Sequence, residues 1–294
     1  MSVSVTPNLP RNRRSLAAMM HGDALGVTDA ALEPDWIQDC FLAECGLTAG
    51  APRPLPISLD SETVESHRAA SPPPHLPMPD DFAKLLNPER ALIFRVIHRA
   101  NLAWVLQHGL HCGTSATRSD HWVSIGNQEL ISKRACWPVS LAPGGVLNDY
   151  VPFYFTPFSV MMHNITTGWN GVTRHPKQDI LILVASLRRV AELRMVFLFT
   201  TSHANNALVT YSNDLAGLNL IDWDILQTRN FRRDPDDPAK FARYQAEALI
   251  HRHCPLSGLS GIVCFNGPVK LQVQQALTAA DVTLPVAARP GWYF

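Results

Sequence analysis

Two side chains in the last fifth of the sequence have a type and spacing that could carry chemistry. Gln245 and Glu247 lie two apart in the segment RYQAEALI at 243–250, directly after a charged, proline-containing segment at 234–240. If the chain turns here and enters a strand, both side chains lie on one face, because successive strand residues point to opposite faces. A fixed carboxylate there suits a reaction in which positive charge develops on a sugar carbon. At about 4 Å in a partly screened site it contributes about 4 kcal/mol, or about three decades in rate.

A second interpretation makes Glu247 an ordinary surface residue. Residues 242–250 also fit an amphipathic helix with Glu247 on its solvent side. The local pattern leaves both interpretations open.

A basic and aromatic group precedes this segment. Three guanidinium groups beside one aromatic ring suit phosphate pairing and base stacking. The residues are Arg229, Phe231, Arg232 and Arg233. Because Asp234, Asp236 and Asp237 follow at once, a solvated charged loop fits the same pattern. The position upstream of Glu247 favours a substrate loop.

Other common ligand motifs are missing from the sequence. The segment HRHC at 251–254 has no second ligand pair at metal-like spacing, so no metal is expected. The chain also has neither a GxGxxG fingerprint nor a P-loop, so any dinucleotide would bind differently from a Rossmann fold.

The spacing of apolar residues predicts strands and helices in irregular order. Strands are expected at 91–97, 151–155, 180–184, 196–199 and 261–265, and helices at 101–110, which stops at Gly109, and at 128–134. Since the order lacks the regular alternation of a doubly wound sheet, the predicted fold class is α+β.

Residues 1–85 are expected to form a proline-rich N-terminal extension, and 86–294 the folded domain. The extension holds nearly half of the 23 prolines, which favour extended chain. Within it, EPDWIQDCFL at 33–42 predicts one short helix. The segment RNRRS at 11–15 fits an ordinary charged surface group better than the start of a transit peptide.

Composition bounds the class of protein. Apolar residues make up 46% and charged residues 17%, which is typical of a packed domain. With 25 basic and 25 acidic residues, contact with a polyanion requires a local patch. The sequence contains no apolar stretch of about 18 residues, so no membrane span is predicted. The six cysteines form no CxxC pair and no long apolar signal core opens the chain, so the expected location is the cytoplasm.

Five segments together resemble the DarT family of ADP-ribosyltransferases, in the family's order. They are FRVIHRANL at 94–102, GGVLNDYVPFYFTP at 144–157, FTTSHA at 199–204, IDW at 221–223 and YQAE at 244–247. The resemblance covers about residues 90–294 and does not extend to the first 85 residues. It implies an ADP-ribosyltransferase fold with a split central sheet, flanking helices and a cleft that binds NAD as the ADP-ribose donor. It also implies a toxin that modifies DNA bases and is neutralised by an antitoxin partner.

The resemblance also implies roles for individual residues. Glu247 matches the family's catalytic glutamate, and Arg134 in SKR at 132–134 matches the arginine that binds NAD and assists deprotonation of the target base. The expected NAD-contacting residues are Arg95, Ile97, Tyr154, Met161, His203 and Gln245. For the ring of Tyr154, packing in the core is the competing interpretation.

The first strand departs from the common form of the family. Arg95 stands where many members carry His, and Ile97 where many carry Thr. Arg95, together with the segments FRVIH at 94–98 and RYQAE at 243–247, resembles the guanine-modifying branch more than the thymine-modifying one. Unstacking and unpairing a base cost a few kcal/mol, so single-stranded DNA is the expected acceptor, with RNA as the rival.

Two other functions use the same scaffold. One is transfer of ADP-ribose to protein, and the other is a non-catalytic nucleic-acid-binding module. Since fold alone does not fix function, the acceptor and the presence of activity decide between them.

Overall fold

The computed structural model describes residues 82–294. The short helix predicted at 33–42, the charged segment at 11–15 and most of the proline-rich extension lie outside the described residues.

Ten strands are found in the part of the chain that the structure describes. They are β1 Leu92–His98, β2 Leu110–His111, β3 Tyr150–Tyr154, β4 Ile180–Ser186, β5 Phe197–Thr200, β6 Tyr211–Ser212, β7 Glu247–His251, β8 His253–Cys254, β9 Leu259–Cys264 and β10 Val286–Ala288. The apolar runs predicted as strands are all strands here, with ends that differ by a few residues. β4, whose sequence is ILILVAS, is buried at every position, as expected of a strand covered on both faces.

Eight strands form one sheet in the order β10-β9-β4-β1-β3-β7-β5-β6. β1 pairs with β4 along its whole length, from Leu92–Ser186 to His98–Ile180, but meets β3 at a single residue pair, Phe94 and Tyr154. The sheet therefore consists of two halves joined at one point. This confirms the split central sheet and the mixed α and β class predicted from the sequence. β2 and β8 form a separate two-stranded sheet.

Helices flank the sheet. The α-helices within residues 82–294 are α1 Leu102–His108, α2 Gln128–Arg134, α3 Val160–Thr167, α4 Leu187–Glu192, α5 Trp223–Gln227, α6 Lys240–Arg243 and α7 Gly267–Ala279. α1 ends where the sequence predicts, because Gly109 adopts a φ of 73° that L side chains rarely tolerate. α2 begins after Asn127, whose side chain accepts a hydrogen bond from the Leu130 N–H.

The main core lies on both faces of the sheet, and the chain joins it from Phe82 onward. The Phe82 ring packs against Trp292 and edge-on against Phe94, and Leu86 is fully buried. A second, smaller apolar cluster lies beside the far half of the sheet, around Tyr150 and Leu249. Among residues 82–294, none of the helices combines the length and the apolar character that a membrane crossing requires.

Candidate active site

A cleft of about 430 Å³ opens where the two halves of the sheet part. Its floor is formed by β1, β3 and the start of β7, and its cover by residues 112–134, which we call the cover segment. All eight residues that the sequence assigned to catalysis or NAD contact line this cleft. They are Arg95, Ile97, Arg134, Tyr154, Met161, His203, Gln245 and Glu247.

Glu247 is the first residue of β7, and its side chain is 1% exposed. The surface-helix interpretation of 242–250 is therefore wrong. A short helix, α6, ends at Arg243, and a turn through Gln245 leads into the strand. Gln245 precedes the strand and donates to the Phe241 carbonyl at 2.9 Å, yet both side chains line the cleft.

Three hydrogen bonds hold Glu247 in place. The Arg134 guanidinium lies 2.8 Å from Oε2, and the Ala204 N–H donates to Oε1 at 3.1 Å. The Glu247 backbone N–H donates to Thr200 Oγ1 at 3.1 Å. Both carboxylate oxygens are thus partnered, as a buried charge requires.

The charge on Glu247 is set by opposing effects. Burial raises the pKa of its carboxyl, but Arg134, His203 and the Ala204 N–H together outweigh burial, so the pKa lies below the ordinary value of glutamate. His203 Nδ1 is 3.8 Å from Oε1. Burial lowers the pKa of His203 against the attraction of Glu247, so the imidazole is neutral at neutral pH. The site therefore holds a carboxylate and a guanidinium in contact.

Tyr154 lies directly across the ladder from Glu247, so the two side chains share the cleft face of the sheet. Its hydroxyl is 3.7 Å from the Met161 sulfur on α3. Burial and then the charge of Glu247 raise the pKa of Tyr154, so the phenol stays protonated. The flanking residues Phe153 and Phe155 are fully buried core residues, as the pattern at 151–155 predicts.

Arg95 on β1 bridges the split in the sheet. One guanidinium nitrogen donates to the Pro152 carbonyl of β3 at 2.8 Å, while the buried Nε has no partner. Burial, followed by repulsion from Arg134, lowers the pKa of Arg95 to about 10, which leaves it charged at neutral pH. Ile97, two residues further along β1, is 1% exposed and contributes an apolar side chain to the floor of the cleft.

The cover segment is held mainly by polar contacts. Of its side chains only Cys112 and Ile125 are buried, and α2 buries none. Asn101, just before α1, donates to the Val123 carbonyl at 2.9 Å and accepts from the Val123 N–H at 2.8 Å. These two bonds, the Arg134–Glu247 pair and the Thr114 hydroxyl, which donates to Asp149 Oδ1 at 2.6 Å, tie the cover to the rest of the domain.

Asn101 and Asn164 are cleft residues that the sequence did not single out. Asn101 lies in the segment FRVIHRANL, but a buried asparagine has no sequence signature that separates it from a surface one. Asn164 on α3 lines the cleft, and its buried Oδ1 has no hydrogen-bond partner. Unpartnered buried polar atoms of Arg95, Arg134 and Asn164 fit a polar ligand that supplies their missing hydrogen bonds.

The structure places the predicted nucleic-acid group outside the cleft. Phe231 packs against the rings of Tyr244, His163 and Phe294. Arg229 lies 3.8 Å above the Phe158 ring and Arg233 lies 4.8 Å above the Phe241 ring, whereas Arg232 is exposed. The Phe231 ring therefore stabilises the fold and is not a free stacking surface.

The histidines and cysteine at 251–254 lie in or next to the small sheet. His253 stacks on His111 with ring centroids 4.3 Å apart. Within residues 82–294, no three His, Cys, Asp or Glu side chains come together in a group that could hold a metal ion.

The arrangement suits cleavage of a bond to a sugar carbon. A buried carboxylate stabilises positive charge on that carbon without reorganising, and a guanidinium beside it pairs with an anion or holds the carboxylate.

A sequence model of the DarT family, described as an ssDNA thymidine ADP-ribosyltransferase, matches residues 94–294. A DNA ADP-ribosyl transferase of Escherichia coli O127:H6 is 54% identical over 214 residues, which are 73% of this chain and 98% of the relative. A DNA ADP-ribosyl transferase of Thermus aquaticus is 31% identical over 71% of this chain and 92% of its own.

Two solved structures share the fold. DarT from Thermus sp. 2.9 in complex with ADP-ribosylated ssDNA has a TM-score of 0.66 and 28% identity, over 71% of this chain and 98% of that one. The same protein in complex with NAD+ has a TM-score of 0.62, over 71% of this chain and 100% of that one.

Proposed function

The chain belongs to the DarT family of ADP-ribosyltransferases that act on single-stranded DNA with NAD as donor, and we propose that Glu247 and Arg134 form its catalytic pair. The observation that carries this proposal is the Glu247 carboxylate, 1% exposed at a cleft and held by Arg134 at 2.8 Å and the Ala204 N–H at 3.1 Å. A charge is buried in this way only where it is compensated, and perturbed titrating groups cluster at functional sites.

In the proposed mechanism, the bond between the ribose carbon and nicotinamide breaks, and its electron pair leaves with nicotinamide. Glu247 stabilises the positive charge that remains on the ribose. A base nitrogen then bonds to that carbon, and its proton passes to the Glu247 carboxylate while Arg134 holds the carboxylate and the cofactor.

The other cleft residues supply the grip on NAD. Tyr154 and Met161 flank the nicotinamide side, where an aromatic face suits a flat cationic ring. Arg95 pairs with the pyrophosphate, and its partnerless Nε supports this role. His203 and Gln245 offer hydrogen bonds to ribose hydroxyls.

The acceptor base has two candidates. Arg95 and the RYQAE segment support guanine, whereas the matching family model is described for thymidine. Guanine stays our prediction from the sequence, and thymine is the competing outcome. Arg232 and its neighbours 229–233 are proposed to contact the strand through phosphates, without stacking by Phe231. RNA is the other acceptor that the test must include.

The direct test is mass spectrometry of oligonucleotides incubated with the protein and NAD. A single-stranded DNA oligonucleotide is expected to gain one ADP-ribose. Matched DNA and RNA oligonucleotides that each lack one base identify the acceptor. Modification of guanine-free DNA at the full rate would reject guanine as the acceptor base but not the enzyme class. Exclusive labelling of RNA would reject DNA as the acceptor strand. Labelling of protein only would reject nucleic-acid transfer.

We also propose that the protein is a cytoplasmic toxin neutralised by an antitoxin partner. Modified bases in replicating DNA block growth, so expression is expected to arrest cells, and the Glu247→Ala variant is expected to spare them. Arrest that persists undiminished in the variant would show that ADP-ribose transfer is not its cause.

A further inference from the structure

A loop next to the cleft connects Glu247 to a tyrosine that does not line the cleft. Ala204, which is fully buried, donates its N–H to Glu247 Oε1 at 3.1 Å. The carbonyl of the same residue accepts a hydrogen bond from the Tyr211 hydroxyl at 2.9 Å. Ala204 therefore stands between Tyr211 and the carboxylate.

The two oxygens of Glu247 are held from different sides. Oε2 contacts Arg134 on the cover segment, and Oε1 contacts Ala204 on the loop that follows β5. Since the cover buries few side chains whereas Ala204 is fully buried, the loop is the firmer support. The orientation of the Ala204 peptide thus determines where Oε1 lies.

Tyr211 is itself firmly placed. It pairs with Thr200 in the ladder of β6 with β5, and its ring packs on the second apolar cluster. Burial and then the negative charge of Glu247 raise the pKa of Tyr211 to about 12, so the hydroxyl remains a donor at neutral pH. Residues 205–210 form an excursion whose base the Tyr211–Ala204 bond closes, with Leu208 91% exposed.

Building on the function proposed above, we propose that Tyr211 is a positioning residue, whose hydroxyl fixes Ala204 so that its N–H holds the Glu247 carboxylate in the reactive orientation. Without the hydroxyl, the Ala204 carbonyl loses this partner and the loop loosens at its base. A less aligned N–H stabilises the charged form of Glu247 less. The remaining titratable groups that face Glu247 are Arg134 from the cover, His203 from the loop and Tyr154 from β3.

The experiment compares Tyr211→Phe with wild type and with Tyr293→Phe. Phenylalanine keeps the Tyr211 ring and its packing, so folding is retained and thermal unfolding verifies it. Tyr293 is the matched control, because its buried hydroxyl donates to the Ile180 and Val263 carbonyls in the main core. The readouts are kcat and KM for NAD with a DNA oligonucleotide, each across a pH series.

For Tyr211→Phe we expect kcat to fall about tenfold, which is less than the loss from deleting a donor outright. KM for NAD stays within about twofold, and the acid limb of the kcat profile moves to higher pH. Tyr293→Phe keeps the wild-type kcat and profile. A kcat for Tyr211→Phe within about twofold of wild type, a change in KM alone, or a loss of rate without a pH shift would overturn the inference. Wild-type protein that transfers no ADP-ribose would overturn the proposed function and this inference with it.

Discussion

On the floor of the cleft, Glu247 starts a strand with four buried residues out of five, between two neighbouring strands, whereas the cover segment at 112–134 buries only Cys112 and Ile125. The floor is placed by apolar packing and by the ladders of β1 with β4 and of β3 with β7. The cover is held mainly by polar contacts, among them the two bonds between Asn101 and Val123, the Thr114–Asp149 bond and the ion pair of Arg134 with Glu247. Glu247 is thus placed on the rigid sheet. Arg134, which contacts it, belongs to a segment with little buried apolar surface, which is expected to open more easily.

The largest expected effect comes from the floor. Glu247→Gln keeps the size of the side chain and an acceptor for the Ala204 N–H but removes the charge, so the rate of ADP-ribose transfer falls about a thousandfold. The measurement is the initial rate of oligonucleotide labelling. Glu192→Gln, an exposed glutamate at the end of α4, is the control and keeps full activity. A Glu247→Gln variant within tenfold of wild type would remove Glu247 from the chemistry.

A smaller loss is expected when the cover loses its charge. Arg134→Gln lowers kcat about a hundredfold, the scale of one lost donor in a reacting site. Lys133→Gln alters the adjacent exposed cation, which pairs with Glu129, and leaves the rate unchanged. Equal losses in both variants would mean that α2 acts through net charge and not through the contact with Glu247.

The same variant tests the charge balance at Glu247 through pH. In wild type the pKa of Glu247 is depressed, so the carboxylate stays charged and active until the pH falls below the ordinary value of glutamate. In Arg134→Gln, burial is no longer outweighed, so the pKa rises and activity is lost as the pH falls through a higher value. The kcat profile from pH 4 to 8 measures this, and an unmoved acid limb would contradict it.

Loss of the two hydrogen bonds between Asn101 and Val123, which hold the cover, is expected to have a moderate effect on NAD binding. Asn101→Leu removes both bonds to Val123, each worth about 1 kcal/mol, so KM for NAD rises about tenfold with little change in kcat. The Val123 amide should also exchange hydrogen faster, while amides of β4 keep their protection. Asn87→Leu is the control, since Asn87 also makes two bonds to backbone, at Lys84 and Arg90, away from the cleft. A rise in KM in both variants would point to general destabilisation.

The smallest effect lies outside both regions. Arg232→Gln removes one proposed phosphate contact, so the slope of log affinity for single-stranded DNA against log salt falls by about 0.7. Fluorescence anisotropy with a labelled oligonucleotide measures the slope. Arg189→Gln, at an exposed surface pair with Glu192, leaves it unchanged. An unchanged slope for Arg232→Gln would place the strand elsewhere.

The local elements were predictable from the sequence because local rules place them. Gly109 ends α1, Asn127 starts α2, and the run ILILVAS is a fully buried strand, as the pattern indicates. The residues of the site were identified from the order of the five segments that resemble the family. The local pattern alone does not distinguish a buried Glu247 from one on the solvent-exposed face of a helix.

Pairings between distant segments could not be predicted. The single contact of Phe94 with Tyr154, which opens the cleft, depends on strand order. The partners of Asn101 and Tyr211 lie in segments that only the fold brings near. Phe231 was expected to stack on bases, but a basic and aromatic pattern does not reveal that its ring meets three other rings in the fold.

The hydrogen bond between Tyr211 and Ala204 also bears on how such an enzyme diverges. It closes the base of the excursion at 205–210, whose tip at Leu208 is 91% exposed. Insertions and substitutions accumulate most readily at such tips. Sequence changes at the exposed tip around Leu208 are therefore expected to leave the hydrogen bonds of Glu247 in place.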